Sequence, residues 1–128
     1  MEELGRYQGI AEVTEDHIVN WANSRVRAVG KTIAMRSFKD TTLKNSMFLL
    51  ELVSAIEPRA VDWEVVNNRA DTYDAQMMNA KYCISSARKI GACVFLVPED
   101  IVEVKSKMIL TFVAGLWMAD LVRFQPTK

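Results

Sequence analysis

With 128 residues, half of them apolar and a quarter charged, the chain has the composition of one globular domain, long enough to bury about two thirds of its unfolded surface. Sixteen basic residues cancel sixteen acidic ones, which argues against a nucleic-acid binder that works through a general positive excess. The opening MEELGRYQGI is too polar for a secretory signal, and the longest apolar block, MILTFVAGLWMA, has 12 residues where a bilayer needs about 20.

Residues 1–12 read as a linker or N-terminal tail, and strong periodicity begins near Val13. The spacing predicts a first helix over 15–29, with Thr14 as N-cap, Glu15 and Asp16 at the positive end of its dipole, and Val13 with Ile18 as a hydrophobic staple. Ile18, Trp21, Ala22, Val26 and Val29 form its apolar stripe, and Gly30 supplies the stop. The opposite face carries Asn20, Asn23, Ser24 and Arg27.

The polar segment after it has no sustained period, and Ile33, Met35, Phe38 and Leu43 are expected to anchor it. A second helix begins near Asn45 or Ser46 and ends at Pro58, with Leu49, Leu52, Val53 and Ile56 facing inward. VDWEVV, residues 61–66, reads as one short helical turn capped by Asp62. A third helix spans 71–90, where Met77, Ala80, Ile84 and Ala87 share a face, and it closes at Gly91.

The fourth long helix, over 105–122, is apolar around most of its circumference through Met108, Ile109, Phe112, Val113, Leu116 and Trp117, so it is expected at the centre. Before it, ACVFLV resembles a buried strand, and Pro98-Glu99-Asp100 suits a short helix start. One apolar run cannot make a sheet, and an unpaired buried strand would leave its amides and carbonyls unsatisfied. The run is therefore expected as an extended connector plugged into a helical core. The predicted fold is all-α.

Catalytic equipment is sparse. The Gly-rich phosphate loops and the nucleophile elbow are missing, and His17, the only histidine, sits in the first turn of the first helix, where a surface or capping role is expected. Glu57, Asp62 and Glu64, like Glu99 and Asp100, lie at helix ends, where carboxylates serve as caps. Cys83 and Cys93 have no zinc-like spacing and are expected reduced, Cys83 as a packing thiol. A groove built from Met77, Met78, Met108 and Met118 is conceivable, but core filling is the preferred reading. Neither an enzyme, nor a metal site, nor a cofactor is expected.

The blocks IVNWAN (18–23), SFKD (37–40), LLELVSAIEPRAVDW (49–63), NAKYCISSARKIGA (79–92) and LVPEDIVEVKSKMILTFVA (96–114) together resemble a calponin-homology domain, specifically the fourth one of the fimbrin/plastin actin bundlers. The resemblance implies a calponin-homology fold over 13–124, with four main helices and two or three short ones around one core, and a tail at 125–128. It also implies the second member of a tandem actin-binding region in a cytoplasmic, cytoskeleton-associated protein that cross-links filaments into bundles. Alone, the domain would be a monomer that does not bundle. Asn45-Ser46 departs from the family pattern but can still cap, and Phe124-Gln125-Pro126 runs past the usual end of the last helix.

Actin filaments are acidic, so the candidate binding residues are Asn20, Asn23, Ser24, Arg27, Lys31, Arg36 and Lys39. Arg88, Lys89 and Lys105 form a second candidate group, facing the adjacent calponin-homology domain of the parent chain. Trp21, Phe38, Trp63 and Trp117 are expected in the core. The alternative is a calponin-homology interaction module for a non-actin partner such as tubulin or a signalling protein. Zero net charge argues against tubulin, whose tails are acidic. Neither nucleic acid nor membrane is an expected partner.

Overall fold

Residues 15–123 are described by the computed structural model, and among them there is no strand. Four longer helices, α1 (Glu15–Ala28), α2 (Met47–Ile56), α3 (Tyr73–Lys89) and α5 (Ser106–Arg123), are joined through a short helix α4 (Pro98–Val102) and 3-10 turns at Thr41–Asn45 and Pro58–Ala60. The all-α expectation holds. The Thr14 cap, the Val13 half of the staple, the 1–12 tail and residues 124–128 lie outside the described residues.

Two glycines end helices by the same device. Gly30 has φ 87° and Gly91 φ 92°, left-handed values that a side chain resists. At each, the chain turns back so that Lys31 donates to the Val26 carbonyl and Ala92 to the Ala87 carbonyl.

The centre is α2, not α5. Phe48, Leu49, Leu50, Leu52 and Val53 are all at most 2% exposed, so this helix has almost no water-facing side, and α1, α3, α5 and both 3-10 turns pack around it. The apolar circumference of α5 is only partly covered. Ile109, Phe112, Val113 and Leu116 are buried, while Met118 and Val122 are 56% and 67% exposed.

Polar side chains fix the joints. Asn79, 1% exposed on α3, accepts from the Asn67 amide at 2.9 Å and donates to the carbonyls of Asn67 (2.9 Å) and Asn45 (3.1 Å). It thereby joins three segments with one amide group. Arg25 donates to Asp120 Oδ1 at 3.1 Å and to the Ala55 carbonyl at 3.3 Å, tying α1 to α5 and to the end of α2. Nearby, Trp21 and Trp117 stack with ring centroids 5.5 Å apart. Asp40 caps the first 3-10 turn, accepting from the Thr42 amide and hydroxyl and from the Arg36 amide.

Several expectations need correction. Val29 and Ile33 are exposed, because Gly30 turns the chain away from the α1 stripe. Residues 61–66 form a turn without becoming helical, although Asp62 does accept from the Glu64 amide. Asn45 rather than Ser46 caps α2: its Oδ1 takes the Met47 amide at 2.9 Å, while the buried Ser46 hydroxyl finds no partner among the described residues. In the connector only Ala92 and Leu96 are buried, and Phe95 stands 72% exposed. Of the four expected core aromatics Phe38 is fully buried, while Trp21, Trp63 and Trp117 are half-buried against the core. Met78 and Met118 do not fill the core at all.

Replacing Asn79 by Leu leaves three part-buried backbone groups without their partner, and we expect a loss of about 1–3 kcal/mol in urea unfolding. A loss under about 0.5 kcal/mol would show that Asn79 does not hold this joint. Asp40 gives a pH test. Burial raises its pKa, but hydrogen bonds from Thr42 and from the Arg36 amide, with the charge of Arg36, outweigh burial and hold the carboxyl below its ordinary value. Its stabilisation is therefore complete above the unfolded-state pKa and lost as pH falls through the lower folded-state one. Stability should decline below about pH 4, and Asp40→Asn should flatten that decline. Equal acid limbs in the two proteins would contradict this role for Asp40.

Candidate functional site

Asn20, Ser24 and Arg27 are spaced four and three residues apart on α1, and all three are exposed, so they form one outward stripe. Lys31 continues it beyond Gly30, with its ammonium 3.9 Å from the Glu51 carboxylate. At that distance and with half the lysine side chain in water, the pair restrains Lys31 only weakly.

Asn23 has a different job. Its Nδ2 donates to the Met35 carbonyl at 2.9 Å and its Oδ1 accepts from the Met35 amide at 3.0 Å. Both ends of the amide group are thus spent on one backbone residue, and the loop is stapled to α1. Met35 and Phe38 then plug into the core at 2% and 1% exposure, leaving Arg36 and Lys39 outside. A turn around Ser37 and the Asp40 carboxylate completes the support.

The structure therefore brings Asn20, Ser24, Arg27 and Lys31 together along α1 and its exit, and mounts Arg36 and Lys39 on a loop that Asn23 holds against that helix. The charge is one-sided. Between Arg25 and Lys44 the chain has six basic residues (Arg25, Arg27, Lys31, Arg36, Lys39 and Lys44) and one acid, the buried Asp40. Arg25 is committed to Asp120, and the others face outward as cations and donors. Such a surface suits an acidic protein partner.

The second candidate group is dispersed. Arg88 borders a hollow shared with Lys81, Ser85 and Val97. Lys89 lies 5.8 Å from the centre of the Tyr82 ring and borders a different hollow with Glu57 and Arg59. Lys105 is engaged by Asp100 at 3.7 Å and Glu103 at 3.6 Å.

Burial pushes the Cys83 thiol far up, so it stays protonated and inert. Among the described residues no group of three or more His, Cys, Asp or Glu is placed to hold a metal ion, and no helix is long and apolar enough to cross a membrane. Sequence reasoning missed the structural roles of Asn23, Arg25 and Asn79. Asn79 alone gave a readable signal, a carboxamide four residues before Cys83 on an otherwise apolar helix face.

Comparison with known proteins agrees with this architecture. The family model of the calponin homology (CH) domain matches residues 12–120. Fimbrin-5 of Arabidopsis thaliana is 48% identical over 117 residues, covering 91% of this chain and 17% of that protein. Plastin-3 of Homo sapiens is 41% identical over 116 residues, covering 91% and 18%. The crystal structure of the actin-crosslinking core of Schizosaccharomyces pombe fimbrin matches with a TM-score of 0.78 and 33% identity, over 87% of this chain and 24% of that one. The chain spans less than a fifth of the length of these two curated relatives. The three longer helices packed around a buried α2, the family match over 12–120 and the likeness to fimbrins and plastins lead to one assignment: the chain belongs to the calponin homology (CH) domain family.

Proposed function

We propose that this chain is an actin-filament-binding module of a filament cross-linking protein, standing as the fourth CH domain and the second member of its tandem. The observation that carries the reading is the likeness to fimbrins and plastins over 91% of the chain, joined by a match to a fimbrin's actin-crosslinking core. The basic surface of α1 and its following loop supports it, since an acidic filament is what such a surface complements. Asn20, Ser24, Arg27, Lys31, Arg36 and Lys39 make the contact, and Asn23 positions the last two. Arg88, Lys89 and Lys105 face the adjacent CH domain. The module is a monomer, non-catalytic, free of metal and cofactor, and works in the cytoplasm on the cytoskeleton.

Co-sedimentation with actin filaments at low and physiological salt tests this directly. The wild type should pellet in a salt-sensitive manner, and Arg27→Glu/Lys31→Glu should weaken binding by about tenfold or more at unchanged melting temperature. Pelleting that the double variant retains would remove the site from α1. Pelleting with microtubules and not with actin would transfer the surface to a different filament.

A further inference from the structure

The cations of the α1 surface are not equally free. Of the six basic residues between Arg25 and Lys44, two form ion pairs with carboxylates among the described residues. Arg25 is committed: its guanidinium lies 3.1 Å from Asp120 and also donates to the Ala55 carbonyl. Lys31 is divided. Its ammonium stands 3.9 Å from the Glu51 carboxylate, yet 51% of its side chain remains in water, where a partner can reach it.

Glu51 is the one acid of α2, the helix buried at the centre of the fold. Glu51 and Ala55 are one turn apart, so one side of α2 meets the cations of α1 and its exit at two levels. The Glu51 side chain is 14% exposed, and Lys31 is the only partner of its carboxylate among the described residues. One contact of 3.9 Å neutralises a carboxylate poorly, and with little water around it the charge is screened less than at the open surface. Asp40, the other acid close to this surface, is saturated, since its oxygens take the Arg36 and Thr42 amides and the Thr42 hydroxyl. Glu51 is thus the acid with charge left over.

The consequence is competition for Lys31. An acidic partner must draw the ammonium away from Glu51, and a largely enclosed carboxylate is then left without its cation. Arg27, Arg36 and Lys39 have no ion pair to give up among the described residues. A partner that offers a single carboxylate to Lys31 therefore gains little. A row of acids that also engages Arg27, Arg36 and Lys39 overcomes Glu51.

We infer that Glu51 is an autoinhibitory acid beneath the α1 surface: it holds Lys31 in the free domain and weakens its capture by an acidic protein partner. This role for Glu51 rests on the proposed use of the α1 surface as the filament contact.

Co-sedimentation with actin filaments and NMR titration with short poly-L-glutamate test this on the same set of variants. Glu51→Gln should bind both about threefold more tightly than wild type at low salt, at unchanged melting temperature, and the gain should shrink as salt rises. In a Lys31→Gln background the same change should make no difference, because the competition it removes is already gone. Unchanged or weaker binding of Glu51→Gln would overturn the inference, the weaker case because Glu51 would then be aiming Lys31 at its partner. So would a gain that persists without Lys31. A gain with poly-L-glutamate but no pelleting with actin by any variant would keep Glu51 in this role and remove the filament as the partner.

Discussion

A ten-residue helix buried on every side leaves its neighbours little freedom. α2 hides Phe48, Leu49, Leu50, Leu52 and Val53 together, and so much apolar surface stays dry only if other elements cover each side. Its first residue follows the buried Ser46 and its last turn is half-buried, so the polar groups at both ends are satisfied largely by protein. Asn45 supplies the acceptor for the Met47 amide, the Ser46 carbonyl takes the Leu50 amide at 2.8 Å, and the Glu57 amide returns to Val53. Asn79 reaches from α3 to the Asn45 carbonyl, so the segment that starts α2 is also fixed against α3. Ser46 adopts φ 66° where the 3-10 turn gives way to α2, and the tight junction holds a residue there that would otherwise avoid that conformation.

The candidate surface inherits its order from these buried contacts. Between α1 and the first 3-10 turn the chain has no regular secondary structure, yet it is restrained at three successive points: Met35, held by Asn23 of α1, Phe38 and Asp40. The cations alternate with these anchors: Arg36 follows Met35, and Lys39 lies between Phe38 and Asp40. Interleaving of this kind fixes where the charges stand while leaving their side chains in water. It keeps the loss of side-chain entropy for the moment of binding.

The helices were legible because their signals are local. Three- and four-residue spacing, Gly30 and Gly91 as stops, Pro58 as a terminator and Pro98 as a starter all act within one or two turns. What failed required knowing which faces find a cover. Val29, Ile33, Phe95 and Met118 are apolar and by spacing belong to the interior, but their exposure depends on turns and partners elsewhere in the chain. α5 looked central because its circumference is apolar, and part of that surface proves to be one side of an open groove. Asn23 was hidden in another way. A carboxamide at the edge of a polar stripe looks the same whether it meets a partner protein or the backbone twelve residues on.

The tandem of indoles between α1 and α5 gives the domain an optical property of its own. Trp21 and Trp117 stack with planes 12° apart, close enough for their electronic transitions to couple. Coupled chromophores in a fixed, chiral arrangement give a far-ultraviolet circular dichroism couplet that neither ring gives alone. That signal arises at the seam between α1 and α5, beside the Arg25–Asp120 pair, and fades if the seam opens. The molecule thus carries an intrinsic gauge of whether α1 and α5 remain joined, readable without a label.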